Sequence, residues 1–393
     1  MICIETKYFN LNRVLLLALG LWPYYRSNIV RLQIILCLSL VIGGISFQLA
    51  RFITTKCTSD LIIEVFSTVT FYSTYIINYN AFWMNMHNVR QLMEKLQQIC
   101  NELKDENEIN IMKQYGNSVK RYTFFIIMFT MGCLLIVTFV PIINIALNIN
   151  GYRYHPHQML SYFMAEYFID QEKYYYLIFL HLDVVVCIGA TTIAATGTLL
   201  RGYFIHACGL FKIASYRIEQ AMMIKMVENI STKNEMMVYK EIICAIDIQR
   251  KAIKYSQFIL SSFEGSFILL ISVNVVSLSL NLFGIFRSVS LGNREAFILH
   301  SLMVSVILLY MFLANYTGQE VMDHDNYIYL TAYNIRWYIA PVHIQKLILF
   351  ILQKNSKAFA LHIGKIFVAS LECFATLLKA SMSYFTFMYS TQQ

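Results

Sequence analysis

Seven stretches of the chain stay apolar long enough to cross a bilayer: Ile29 to Ala50, Leu61 to Met84, Phe124 to Leu147, Tyr174 to Thr196, Ser256 to Phe283, Ala296 to Asn315 and Ile363 to Tyr389. Crossing about 30 Å of hydrocarbon takes roughly 20 helical residues. The pattern therefore predicts an all-α membrane protein with seven transmembrane helices. Between the spans the periodicity continues. Met236, Tyr239, Ile243, Ile246 and Ile253 recur at steps of three and four, which predicts a helix running out of the bilayer and into the fifth span. From Pro341 to Gln353, Ile344, Leu347, Ile348, Ile351 and Leu352 share one side. That stretch is too short to span, since about 20 residues are needed, and reads as a packing helix, making either subunit contacts or an intrachain bundle.

The last span has an unusual face. Ala369, Cys373, Thr376, Ala380, Ser383, Phe387 and Thr391 fall at steps of three and four, a small or weakly polar stripe interrupted by one Phe. A helix turned to lipid has no use for such a face, so the stripe predicts a working element. Lys365, Glu372 and Lys379, seven apart, are expected on an adjacent face. Near the N-terminus, Val14 to Leu21 is apolar but is followed by Trp22 and Pro23. Cleavage sites need small residues there, so a short helix lying on the inner leaflet is expected.

Composition agrees with a membrane protein: 58% hydrophobic, 14% charged, with 28 Phe and 27 Tyr. The net charge of +8 does not point to nucleic acid, because its sources are placed by topology. Of the 31 Lys and Arg, 22 lie in the N-terminal tail and the even-numbered loops and 6 in the alternate set. The positive-inside rule then puts the N-terminus in the cytoplasm and the C-terminus outside, the reverse of a G-protein-coupled receptor. Of the nine cysteines only Cys57 falls in an external loop, so no external disulfide within the chain is expected. The glycosylation-type triplets at Asn229 and Asn315 fall on the cytoplasmic side.

Enzymatic chemistry finds no support. His155 and His157 flank Pro156 in an external loop without a Cys or carboxylate to complete a metal site. No nucleophile, base and orienting group can be assembled, and no phosphate-cradling loop or cofactor motif occurs. No cofactor is expected.

Several segments carry a resemblance: Gly20-Leu21-Trp22-Pro23, Tyr333-Asn334-Ile335-Arg336-Trp337-Tyr338, Gln353-Lys354-Asn355-Ser356-Lys357, Ser370-Leu371-Glu372, and Leu378 through Ser383-Tyr384-Phe385. Together they resemble insect odorant receptors. Ser383-Tyr384-Phe385 departs from the ending of the sister gustatory receptors, and Arg201 to Tyr255 lacks the long insertion of the odorant co-receptor. The chain therefore looks like a tuning subunit. The resemblance implies one seven-transmembrane domain over 1–393, with cytoplasmic anchor helices from about 201–255 and 316–362 and a pore helix over 363–391. It also implies a ligand-gated, non-selective cation channel in the plasma membrane of a sensory dendrite, heterotetrameric with the co-receptor.

By the same resemblance the ligand pocket lies in the outer halves of the second, third, fourth and sixth spans. Those halves hold Phe71, Tyr72, Gly132, Ile136, Leu180, His181, Val184, His300 and Met303, which suit a small hydrophobic or volatile molecule. His181 and His300 are the polar handles expected there. Gate positions fall on Phe387, Ser390 and Thr391, with Ser383 below them on the stripe, and the subunit interface on Tyr333, Trp337, Leu347 and Ile351. A gustatory-type channel working without a co-receptor and, more distantly, a seven-helix G-protein-coupled receptor stay open as alternatives.

Overall fold

The computed structural model describes residues 7–25, 27–149, 165–170, 173–227, 232–355 and 359–391. The Asn229 triplet and His155 and His157 lie outside them. The chain is almost wholly helical: α1 (Asn10–Ala18), α2 (Asn28–Leu49), α3 (Arg51–Thr54), α4 (Ser59–Met84), α5 (Met86–Glu102), α6 (Glu106–Ile149), α7 (Tyr175–Val227), α8 (Thr232–Ser290), α9 (Arg294–Asn334), α10 (Val342–Asn355) and α11 (Leu371–Thr391). Six helical segments among the described residues are long and apolar enough to cross a membrane. They belong to α2, α4, α6, α7, α8 and α9.

Four of these helices are much longer than a bilayer is thick. At about 1.5 Å per residue, the 44 residues of α6, 53 of α7, 59 of α8 and 41 of α9 span from about 60 to 90 Å, against about 30 Å of hydrocarbon. The surplus gathers at one end of the bundle, here called the base, with α1, α5 and α10. The expected helix through Met236 to Ile253 is the lower part of α8, and the expected short helix is α10. One continuous apolar core fills the base, joining Phe9, Leu16, Trp22, Leu92, Leu96, Tyr203, Phe211, Ile242, Ile328, Ile344 and Ile348. A smaller one at mid-height joins Tyr72, Tyr75, Val185, Leu278, Met303 and Leu377.

The N-terminal helix is not a leaflet ornament. Leu16, Leu21 and Trp22 are buried in the base core. The buried Asn12 amide donates to Thr198 Oγ1 at 2.6 Å and to the Ala195 carbonyl at 3.2 Å. Gly20, at φ +73°, closes α1. Its turn lets the Leu21 N–H reach back to the Leu16 carbonyl at 2.8 Å, a closure that favours glycine because a Cβ is strained at positive φ. Helix starts follow capping chemistry: Ser27, Thr58 and Asn293 side chains accept from Val30, Leu61 and Ala296 N–H groups at 3.2 Å each, satisfying donors that have no partner within the helix.

The final helix begins later than the sequence pattern suggests. Residues from Ile363 do not start a helix; β1 (His362–Ile363) and β2 (Phe367–Val368) form a two-stranded antiparallel hairpin, with His362 opposite Val368 and Ile363 opposite Phe367. Gly364 and Lys365 sit at φ +61° and +58°, the pair of positive values that a type I′ hairpin turn requires and an α-helix excludes. Lys365 therefore does not share a helix face with Glu372 and Lys379. The helix starts after Ser370, whose hydroxyl accepts from the Cys373 N–H at 3.1 Å. The hairpin is held to α8 by the Gly364 N–H donating to Glu264 Oε1 at 2.9 Å. It is held to α9 at Gly318, where an added Cβ would lie 2.2 Å from the Ala369 carbonyl oxygen.

At the base, Glu108 of α6 is 5% exposed at its side chain and takes a two-pronged contact from Arg217 of α7, with Nη2 donating at 2.9 Å. Arg217 also donates to the Cys244 carbonyl of α8. Removing one partner of such a buried pair costs about 3–5 kcal/mol, because the other charge is left uncompensated. Glu108→Ala is expected to lower the thermal midpoint of detergent-solubilised protein by several degrees, and Glu108→Leu with Arg217→Met to recover most of it. Equal stability of Glu108→Ala and the parent chain would show that the pair is not structural.

Candidate functional site

Above the base core, α4, α6, α7 and α9 separate around an apolar cavity. The centre of a water-sized sphere can move through about 90 Å³ of it. Phe71, Tyr72 and Tyr75 line it from α4, Phe129, Thr130 and Cys133 from α6, Val186, Ala190 and Ile193 from α7, and Leu299, Met303 and Val306 from α9, with Gln48 reaching in from the end of α2. Positions 71, 72 and 75 share a helix face by the 3.6-residue period. Their rings form one aromatic wall: Tyr72 and Tyr75 stack at 5.5 Å between centroids, and Phe71 meets Tyr75 edge-on at 5.4 Å. Gly189 fixes that wall, since a Cβ there would lie 2.0 Å from Tyr75 Cδ2. The Tyr75 ring thus rests on bare α7 backbone.

The expected pocket residues divide. Phe71, Tyr72 and Met303 line the cavity. Gly132, Ile136, Leu180, His181, Val184 and His300 do not. Leu180 is 60% exposed and Ile136 44%, on outward faces suited to lipid, because each lies a fraction of a turn away from the lining residues of its helix. His181 is engaged elsewhere: its Nδ1 pairs with the Tyr167 hydroxyl at 2.6 Å, and Tyr167 stacks on Phe47 at 4.2 Å, pinning the segment before α7 to the end of α2. His300 Nδ1 lies 2.9 Å from Asn281 Oδ1, in a network that Asn281 extends to the Ser67 carbonyl of α4. The histidine ring fits over Gly284, where a Cβ would meet it at 2.6 Å. His300 borders a separate polar recess near Arg51, Glu64 and Arg287.

One polar residue lining the cavity was missed by sequence reasoning. Gln48 is 1% exposed, and its Oε1 has no hydrogen-bond partner among the described residues. A buried acceptor without a donor costs about 1–3 kcal/mol, a cost that a donor reaching this oxygen would offset. A lone Gln near the end of an apolar span was its only signal.

On α11, Leu377 and Ser381 are buried against the bundle, with Ser279 of α8 donating to the Ser381 carbonyl at 3.0 Å. Thr376, Ser383, Phe387, Ser390 and Thr391 face away from the chain, Phe387 being 66% exposed. Of the expected stripe, Cys373 and Ala380 instead pack against the mid-height core, and Ala369 belongs to the hairpin's seat on Gly318. At the base, Tyr333 is exposed, but Trp337 and Leu347 are partly buried against their own chain's core and Ile351 is 2% exposed within it. The apolar side chains turned outward there are Tyr338, Val342, Leu349 and Phe350.

Residues 58–382 match the 7tm Odorant receptor family. The chain is a member of that family. Among solved structures it is similar to the olfactory receptor OR5 from Machilis hrabei in complex with eugenol, at 14% identity over 98% of both chains with a TM-score of 0.77. It is also similar to OR5 without that description of a ligand, at 15% identity over 98% of this chain and 97% of the other, with a TM-score of 0.75. At such identities the likeness shows a shared fold. No curated protein matches the chain. The receptor is thus an odorant receptor by family, with the fold of insect olfactory receptors.

Because the Tyr75 ring has only glycine backbone behind it, Gly189→Leu should push the ring into the cavity and close it. Expected is at least a tenfold loss of potency for any cavity ligand, a change of about 1.4 kcal/mol, at unchanged surface level. Unchanged potency would show that ligands bind elsewhere.

Proposed function

We propose that the receptor is the odorant-binding subunit of a ligand-gated, non-selective cation channel assembled with odorant co-receptor subunits. The plasma membrane of a sensory neuron dendrite is the proposed location, with the N-terminus cytoplasmic and the C-terminus outside. The observation that carries the binding half is the apolar cavity between α4, α6, α7 and α9, lined by Phe71, Tyr72 and Met303. Affinity in such a space comes from area burial at about 25 cal/mol per Å² with few polar contacts. Gln48 Oε1 adds a preference for a small, largely apolar molecule carrying one hydroxyl or other donor.

The channel half draws support from α11. Its exposed residues include Thr376, Ser383, Phe387, Ser390 and Thr391 beside Met382 and Tyr384, and the weakly polar ones among them suit a pore wall shared among subunits better than lipid. Phe387 is the bulky side chain in line with Thr376 and Ser383, and hydrophobic constrictions close pores by dewetting.

Current recorded with and without the co-receptor tests assembly; a ligand response from the receptor alone would favour the gustatory-type mode. Two substitutions separate the roles. Met303→Trp should shift ligand potency about tenfold or more, or about 1.4 kcal/mol, with ion permeability unchanged. Phe387→Ala should raise basal current or alter permeability, leaving potency nearly constant. Identical basal current, permeability and pore block in Phe387→Ala would make the stripe a packing face. Gln48→Leu should weaken hydroxyl-bearing ligands relative to their methyl ethers; equal ratios in both receptors would remove Gln48 from recognition.

A further inference from the structure

A second cavity lies nearer the base, about 200 Å³ by the same measure as the 90 Å³ of the upper one. It is lined by α6, α7, α8, α9, the hairpin and the start of α11, and shares Phe129, Thr130, Ile193 and Val306 with the upper cavity. Along α7 its wall runs from Ile193 to Phe204, about 16 Å at the helical rise, which is room for an alkyl chain of medium length.

The lining is mostly apolar, yet its polar groups are specific. Arg201 forms the floor. Its Nη atoms donate to Thr317 Oγ1 at 2.5 Å and to Glu320 Oε2 at 3.0 Å, and its guanidinium rests over the rings of Tyr122 and Tyr316 at 4.5 and 5.3 Å. Arg201 Nε is buried and has no acceptor among the described residues. Higher on the wall, Asn274 and Asn315 are nearly buried, and each amide donates to a carbonyl of its own helix four residues back. A buried donor without a partner costs about 1–3 kcal/mol. An occupant therefore gains by bringing an acceptor to Arg201 Nε. That acceptor has to be neutral. Glu320 already balances the guanidinium, so a carboxylate or phosphate head would add a second anion beside one cation in a poorly solvated site.

The geometry points to a second binding site in this cavity for a neutral single-chain amphiphile, its hydroxyl or ester head at Arg201 and its chain rising toward Phe129. Such an occupant touches Ala369, Cys373 and Leu377, so it lies directly against the seat of α11, which the upper cavity does not reach.

Gly197 supplies the test. It lines the cavity, and an added Cβ meets nothing within 4 Å, so a large side chain enters open space. Full-length receptor purified in detergent is photolabelled with a long-chain alcohol carrying a diazirine, and with the carboxylic acid of the same chain. Labelling by the alcohol is expected on cavity-lining peptides of α7, α8 and α11. It should fall roughly tenfold, about 1.4 kcal/mol, in Gly197→Phe and persist in Gly197→Ala, which also improves helix propensity by about 0.5–1 kcal/mol. The thermal midpoints of both variants show whether they fold; if Gly197→Phe does not, Ala314→Leu fills the same cavity. Undiminished labelling in the filled variant would reveal bulk membrane solvent. Loss in Gly197→Ala as well would mark a general distortion, and labelling by the acid equal to that by the alcohol would overturn the neutral head. The readout needs no current, so its failure leaves the proposed channel function standing.

Discussion

The packing of α7 below the membrane-spanning height supports everything else in the receptor. From Tyr203 to Ala214 nearly every side chain of this helix is buried, on all sides and not along one stripe. A helix buried all round has to meet neighbours in every direction, and α7 does so against α1, α6, α8 and α9. Small residues make the approach possible. At Gly202 an added Cβ would sit 2.5 Å from the Phe9 ring, and at Gly209 2.9 Å from Met112 Sδ. The base core is thus dense, and its burial of large side chains at about 25 cal/mol per Å² is what holds helices whose upper halves face lipid.

That division of labour explains why the cavities can exist. In lipid there is no hydrophobic force driving helices together, so the upper bundle gains little by closing its gaps. Held at the base, α4, α6, α7 and α9 can stand apart higher up without the fold dissolving. α6 shows this most clearly: Phe124, Phe125, Met128 and Leu135 are exposed, while the half-buried Thr130 and Cys133, a fraction of a turn away, line the cavity. Polar ties at that height join neighbouring helices, such as Thr138 donating to Asp183 Oδ1 at 2.7 Å and Asn281 to the Ser67 carbonyl at 3.2 Å. Asp183, costly in a span when alone, thereby becomes a clip between α6 and α7.

Much of this was legible in the sequence. Spans declare themselves by length, and the helical seam through Ile243 and Ile253 by its period. Phe71, Tyr72 and Met303 line the cavity, as bulky apolar residues on inward helix faces do. His181 and His300 were chosen as the polar residues among apolar ones, and that reasoning fails for a physical reason. A buried imidazole is satisfied by whichever acceptor or donor lies within reach, and both found theirs, Tyr167 and Asn281, outside the cavity. Gln48 is the converse, polar and buried yet unsatisfied at Oε1. Satisfaction is a property of the assembled neighbours, so no reading of one chain position could separate the three. The base core between Tyr203 and Ala214 was hidden differently: its apolar run simply continues that of a span, and periodicity cannot show where lipid ends and protein begins.

The hairpin before α11 was the hardest element to foresee, and its position ties the two halves of the receptor together. Ile363, Ile366, Phe367 and Val368 are strongly apolar, so hydropathy merges them with the helix that follows. Only Gly364 and Lys365 break the run, and a Gly-Lys pair is a weak turn signal beside Asn-Gly or Asp-Gly. What makes the turn hold is tertiary. Glu264 of α8 accepts from the Gly364 N–H, Ile268 of the same helix lies where a Gly364 Cβ would go, and Gly318 of α9 leaves space for Ala369 alone. The Ala369 contact is backbone against backbone, whereas Glu264 and Ile268 reach Gly364 with the ends of their side chains. The start of α11 is therefore fixed to α8 and α9, the helices that also wall the lower cavity. Any change in the separation of those two helices has to move the hairpin or break its hydrogen bond, and the helix it carries moves with it.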